Sequence, residues 1–145
     1  MEDRQITLTR LFAASPEQVW AAWTDPAILP RWFGPEGFSC TTREIDLRPG
    51  GVWRFDMVGQ GMTFANRHRI TAYVPHERIE FLMDDDNDAS PAWPVVITLV
   101  PEGGGTRLTQ TMTLHSAAAK AEAENFNAVE LGYTTLAKLA AILGE

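Results

Sequence analysis

A chain of 145 residues with a formal charge of −7 has room for one domain, which at that size buries about two thirds of the surface its unfolded form exposes. The negative charge excludes non-specific binding to nucleic acid and to anionic lipid, both of which need a positive field. A single cysteine, Cys40, excludes an intramolecular disulfide, and no apolar run approaches the roughly 20 residues that span a bilayer, so no membrane insertion is expected. Residues 1–9 lack a basic segment followed by an apolar one, which makes the expected location cytoplasmic.

In chain order, Gln5 to Phe12 alternates Ile6, Leu8, Arg10 and Phe12 against Gln5, Thr7, Thr9 and Leu11, which predicts a strand. Ser15-Pro16-Glu17-Gln18 then reads as an N-cap, a proline at the first helical position and a capping-box glutamine. They open a short helix on which Trp20 and Trp23 are expected to be packing anchors. Asp25-Pro26 starts a second short helix through Leu29 toward Trp32 and Phe33, limited by Pro30 and closed by Gly34-Pro35-Glu36-Gly37.

From Phe38 to His115 the period becomes that of strands. Phe38–Leu47, Val52–Val58, Met62–Val74, Arg78–Asp84, Pro94–Val100 and Thr106–His115 are extended. The glycine-rich stretches at 48–51, 59–61 and 101–105 turn the chain between them. The last strand sets Leu108, Gln110, Met112 and Leu114 on one face, with its four threonines assigned to the other. Asp84–Ser90 reads as a solvated acidic loop; it lacks the glycine and glutamate of a calcium loop.

Ser116 to Glu145 reads as one long C-terminal helix capped by Ser116 and stopped at Gly144. Phe126, Val129, Tyr133, Leu136, Ala140 and Leu143 recur at three- and four-residue steps and form its buried stripe. Gly132 lacks a side chain where another element could approach closely. Closely joined strands leave no space for crossovers, so the fold class is α+β: an antiparallel sheet curled around the C-terminal helix, with two short helices after the first strand.

Ser15-Pro16-Glu17-Gln18-Val19-Trp20, Thr24-Asp25-Pro26, Arg31-Trp32-Phe33-Gly34-Pro35, Asp46-Leu47-Arg48-Pro49-Gly50-Gly51-Val52-Trp53, Gly104-Gly105-Thr106-Arg107-Leu108-Thr109 and the ending from Gly132-Tyr133 to Leu143 carry a resemblance over nearly the whole chain. The sequence resembles the bacterial single-domain relatives of the ATPase activator of the ninety-kilodalton heat-shock chaperone. They belong to the START-like (SRPBCC, polyketide-cyclase-like) superfamily. The resemblance implies a helix-grip fold with a cavity between sheet and C-terminal helix, and a chaperone partner as one role. The activator's further N-terminal domain has no counterpart in these residues. Two positions depart from the relatives: Tyr133 replaces a common tryptophan, and Asn66 a common glycine.

Strand alternation turns Phe64, Asn66, His68 and Ile70 inward and Ala65, Arg67 and Arg69 outward, and Gln110 lies on an apolar face between Leu108 and Met112. Buried amides and imidazoles need partners, so Asn66, His68 and Gln110 form either an internal network or the polar handles of a pocket. The expected lining is Trp32, Phe38, Trp53, Phe55, Phe64, Phe81, Met83, Met112, Phe126, Val129 and Tyr133 together with those three. Phe33, Met57 and Trp93 belong to the same apolar supply, which could equally fill the space as a solid core.

Three scattered histidines and one cysteine predict no metal, and no glycine-rich loop precedes a helix as a nucleotide site requires, so no cofactor is expected. No serine sits in a nucleophile elbow. The primary expectation is binding of a small hydrophobic or amphipathic ligand, with no defined reaction. The alternatives are a cyclase- or dehydratase-like enzyme using His68 as acid/base and a chaperone-interacting protein; a homodimer is compatible with each.

Overall fold

The computed structural model describes residues 3–145. Met1 and Glu2, which begin the segment read for a targeting signal, lie outside the described residues. The elements are β1 (Gln5–Phe12), α1 (Pro16–Thr24), α2 (Leu29–Trp32), β2 (Phe38–Ile45), β3 (Val52–Gly59), β4 (Met62–Val74), β5 (Arg78–Asp84), β6 (Trp93–Glu102), β7 (Gly105–Thr113), α3 (Ala117–Asn125) and α4 (Ala128–Ile142). The seven strands form one antiparallel sheet in the order β1-β7-β6-β5-β4-β3-β2. Sequential hairpins build β2 through β7, and β1 closes against β7 at the far edge. Register shifts between Thr42 and Glu44 and between Ile70 and Ala72 insert extra residues into β2 and β4, and such bulges bend strands and help the sheet curl. The fold is α+β and helix-grip, as the sequence leads one to expect.

Local signals operate as read. Ser15 accepts the Gln18 N–H while the Gln18 side chain accepts the Ser15 N–H, closing the capping box of α1. α2 is shorter than expected: 26–28 form a turn, because Asp25 O accepts from both Ile28 N and Leu29 N before the helix begins. Thr106 corrects the threonine face. It shares the inward parity of Leu108, is fully buried, and donates its hydroxyl to Ala14 O at 2.8 Å.

The long C-terminal helix is two helices. Ser116 caps α3 by accepting from Ala119 N, but the chain breaks at Phe126 and Asn127, where Asn127 adopts a left-handed conformation with φ 61°. Asparagine tolerates that region better than most residues, and the three-residue step from Phe126 to Val129 concealed the break. Phe126 is therefore 73% exposed rather than part of the buried stripe. Leu136, Leu139 and Ala140 bury α4 against the sheet, Leu139 being a core residue that the sequence reading passed over. Gly144 ends the helix at φ 84°, and the Glu145 carboxylate accepts from Ala13 N and Ala14 N, tying the chain end to the segment after β1.

Among the described residues no helix is long and apolar enough to cross a membrane.

Candidate functional site

The concave face of the sheet divides into a filled half and a hollow half. Under α1 and α2, Trp23 packs edge-on against Trp32 with ring centres 4.8 Å apart, and Phe33 meets Trp53, Phe55 and His68 edge-on at 5.0–5.9 Å. Trp32 also donates its indole N–H to Ala22 O at 3.0 Å. The residual gap, bounded by Trp23, Trp53, His68, Tyr73 and Phe81, is about 10 Å³, too small for more than a water.

Under α4 a cavity of about 220 Å³ remains. Its sheet wall is Ile6, Leu8, Met57, Phe81, Met83, Val95, Gln110 and Met112, and the loop after α2 contributes Phe33, Gly34 and Pro35. Its helical wall is Ala128, Leu131, Gly132 and Thr135, which recur at three, one and three residues along α4. Three of these four side chains are small, so the helix covers the sheet without filling the space beneath it. At Gly132 a Cβ atom would lie within 2.4 Å of Leu8 Cδ1, so the missing side chain lets α4 approach β1 closely.

Two side chains of α4 hold the loop wall to the helix. Lys138 Nζ donates to Gly34 O and Phe38 O at 3.0 Å each, and Glu36 N donates to Thr134 Oγ1 at 3.0 Å. Desolvation lowers the Lys138 pKa below the usual lysine value. Nearby Cys40 donates to Phe33 O at 3.3 Å, and burial pushes its thiol up to about 11, which keeps it protonated and unreactive.

A second hollow, a cleft of about 280 Å³, lies at the rim and shares the Met83 wall with the cavity. Asn66, Asp84, Asp85, Ser90, Pro91 and Trp93 complete it. The acidic loop that forms one side is held down by arginines, which corrects its reading as merely solvated. Buried Arg67 donates to both Asp84 carboxylate oxygens at 2.9 and 2.7 Å and to Asp88 at 2.7 Å, while Arg69 adds a 3.1 Å bond to Asp84. Asp86 meets Arg43 at 2.9 Å and Arg54 at 3.2 Å. Burial is the largest single influence and would raise the Asp84 pKa, but the Arg67 hydrogen bonds, the Asp86 N–H and the charges of Arg67 and Arg69 together outweigh it and hold that carboxyl below its ordinary value. The signal was legible: outward-facing arginines on three neighbouring strands next to a run of aspartates are a complementary pair.

Of the residues expected to line a pocket, Phe81, Met83, Gln110 and Met112 meet in the cavity, and Asn66 joins Met83 in the rim cleft. Trp32, Trp53 and Phe55 are buried in the filled half instead. Phe38 and Phe64 pair with each other at 6.3 Å, and Phe64 is 47% exposed. Val129 is half-buried outside the cavity wall. Tyr133 is 40% exposed; its hydroxyl accepts from Thr9 N at 3.4 Å, so it reaches across β1 rather than into the hollow.

The expected trio of polar handles does not converge. Gln110 lines the cavity, Asn66 donates to Phe64 O at 3.0 Å, and His68 stands in the aromatic core. His68 corrects the acid/base reading. It is 4% exposed, its ring stacks on Phe81 at 4.3 Å, and Nε2 has no partner among the described residues. Desolvation drives its pKa down to about 3, so it is neutral near pH 7 and faces no space a substrate could occupy. Ile6, Leu8, Val95, Gly34, Pro35, Ala128, Leu131 and Thr135 were the missed cavity residues, because nothing in a strand or helix pattern distinguishes a wall from a filled core.

A family profile described as Activator of Hsp90 ATPase homolog 1-like protein matches residues 13–144. No curated protein matches the chain. Among solved structures, a protein from Chromobacterium violaceum is 32% identical with a TM-score of 0.82, covering 96% of each chain. One from Mycobacterium smegmatis is 29% identical with a TM-score of 0.86, covering 99% of this chain and 95% of its own. The AHSA1 protein from Silicibacter pomeroyi is 28% identical with a TM-score of 0.78, covering 97% of each.

Proposed function

We propose that this chain, which belongs to the Activator of Hsp90 ATPase homolog 1-like family, binds a small hydrophobic or amphipathic ligand in the cavity between its sheet and α4. One observation carries the reading: about 220 Å³ stays open in a fold whose other half is packed to a 10 Å³ gap by the same kind of strand residues. A hollow of this size with a mostly apolar wall, open on one side to solvent, keeps that wall wet until an apolar guest covers it, and covering it is favourable. Gln110 and Thr135 are the polar side chains on its wall and would orient an otherwise apolar guest.

Binding is the whole of the proposed role, since the neutral, enclosed His68 supplies no proton transfer at the cavity. The chaperone-interacting reading rests on the family description, and no cavity residue speaks for it. The test is native mass spectrometry of the purified protein followed by titration with octanol. The expected results are a co-purifying small apolar molecule or saturable octanol uptake at one site per chain. Protein that emerges empty and takes up no octanol would sink the proposal.

A further inference from the structure

The rim cleft and the cavity meet at Met83, the one residue that lines both. Methionine is unbranched and flexible, which suits a wall shared by two spaces. The cleft differs from the cavity in chemistry. Its side chains include two carboxylates, an amide and a hydroxyl, with no lysine or arginine among them. The Asp84 carboxylate is already matched by Arg67 and Arg69. Asp85 is exposed and accepts only neutral donors, Ser90 Oγ at 3.0 Å and Asn87 N at 3.2 Å, and no cationic side chain among the described residues pairs with it. Trp93 spends its single polar atom on His115 Nδ1 at 3.1 Å, which leaves ring surface to face the cleft.

We infer that cleft and cavity together form one two-part site for an amphiphile with a cationic head, an alkylammonium whose chain passes Met83 into the cavity while its head rests between Asp85 and the Trp93 ring. An indole face attracts an ammonium ion, and an unpaired carboxylate beside it adds Coulombic attraction that a neutral head does not feel. A carboxylate head would instead face Asp85, while the nearby Arg67 and Arg69 are already engaged by Asp84, and the chain's charge of −7 works in the same direction.

This inference rests on the cavity reading, and the experiment separates the two. Octyltrimethylammonium, octanol and octanoate, which share one chain and differ in head charge, are titrated into the intact protein by calorimetry at low salt. The expected order is octyltrimethylammonium about tenfold tighter than octanol, with octanoate weakest. Asp85→Asn, which keeps the hydrogen-bond acceptor, should bring the cation to within about threefold of octanol and leave octanol unchanged. Trp93→Leu should lower the same preference. Octanol binding with no preference for the cation, or a preference that survives Asp85→Asn, overturns the two-part site and leaves the cavity reading standing. No binding by any of the three overturns both.

Discussion

The two halves of the concave face are built from similar strands and end in opposite states. Where α1 and α2 lie over the sheet, their tryptophans descend into it and the space closes around Trp32, Trp53, Phe55 and His68. Where α4 lies over it, Ala128, Gly132 and Thr135 face the sheet and about 220 Å³ stays open. The inward residues of the strands are large in both halves, so the size of the covering residues decides between core and cavity.

The largest expected effect comes from opening the filled half. Trp32→Ala should cost about 3–5 kcal/mol in urea unfolding, whereas Met112→Ala at the cavity wall should cost about 1–2 kcal/mol, because it enlarges a void that exists already. Equal losses would remove the distinction between the halves.

His68 offers a sharper probe of how dry the filled half is. Its folded pKa near 3 lies below the unfolded value of 6.5, so between those limits the unfolded chain takes up a proton that the folded one refuses. Stability therefore falls as pH drops below about 6.5, and at pH 5 the deficit is about 2 kcal/mol. In His68→Phe that acid sensitivity should disappear, which urea midpoints at pH 5 and pH 8 would register. An unchanged pH slope would mean that the imidazole is not the group responsible.

The hollow half should respond in binding more than in stability. In Gly132→Ala the new methyl group displaces Leu8 Cδ1, and Leu8 borders the cavity, so it has room to turn inward. Thermal stability should stay within about 1 kcal/mol, since the helical gain of alanine over glycine offsets part of the strain, while octanol binding weakens several-fold. Thr135→Phe fills the same space from the helix side. It should reduce octanol binding about tenfold or more with less than about 1 kcal/mol of destabilisation, provided the ring enters the void instead of overpacking. A large loss of stability in Thr135→Phe would mean that the space is not available to a guest.

Much of the architecture was legible because it is written in local chemistry. The capping box at Ser15, the period-two strands and the glycine turns each depend on neighbours a few residues away, and each appears where the residues place it. The helix break at Asn127 was not legible, since a left-handed asparagine leaves the apolar spacing of its surroundings intact. The site was legible only in part. Phe81, Met83, Gln110 and Met112 face the cavity as their strand parity requires, but parity says the same of Phe55 and His68, which lie in solid core.

The sequence by itself determined the order of the strands and of the first two helices, the hairpin ladder and the inward parity of most strand residues, because those follow from backbone chemistry and hydrophobic period. Only the tertiary structure decided which stretch of the inner face would be filled and which left hollow. That outcome depends on side chains brought together from distant parts of the chain: Trp23 and Trp32 over one end, Ala128, Gly132 and Thr135 over the other. Volume complementarity between them has no period in the sequence to reveal it.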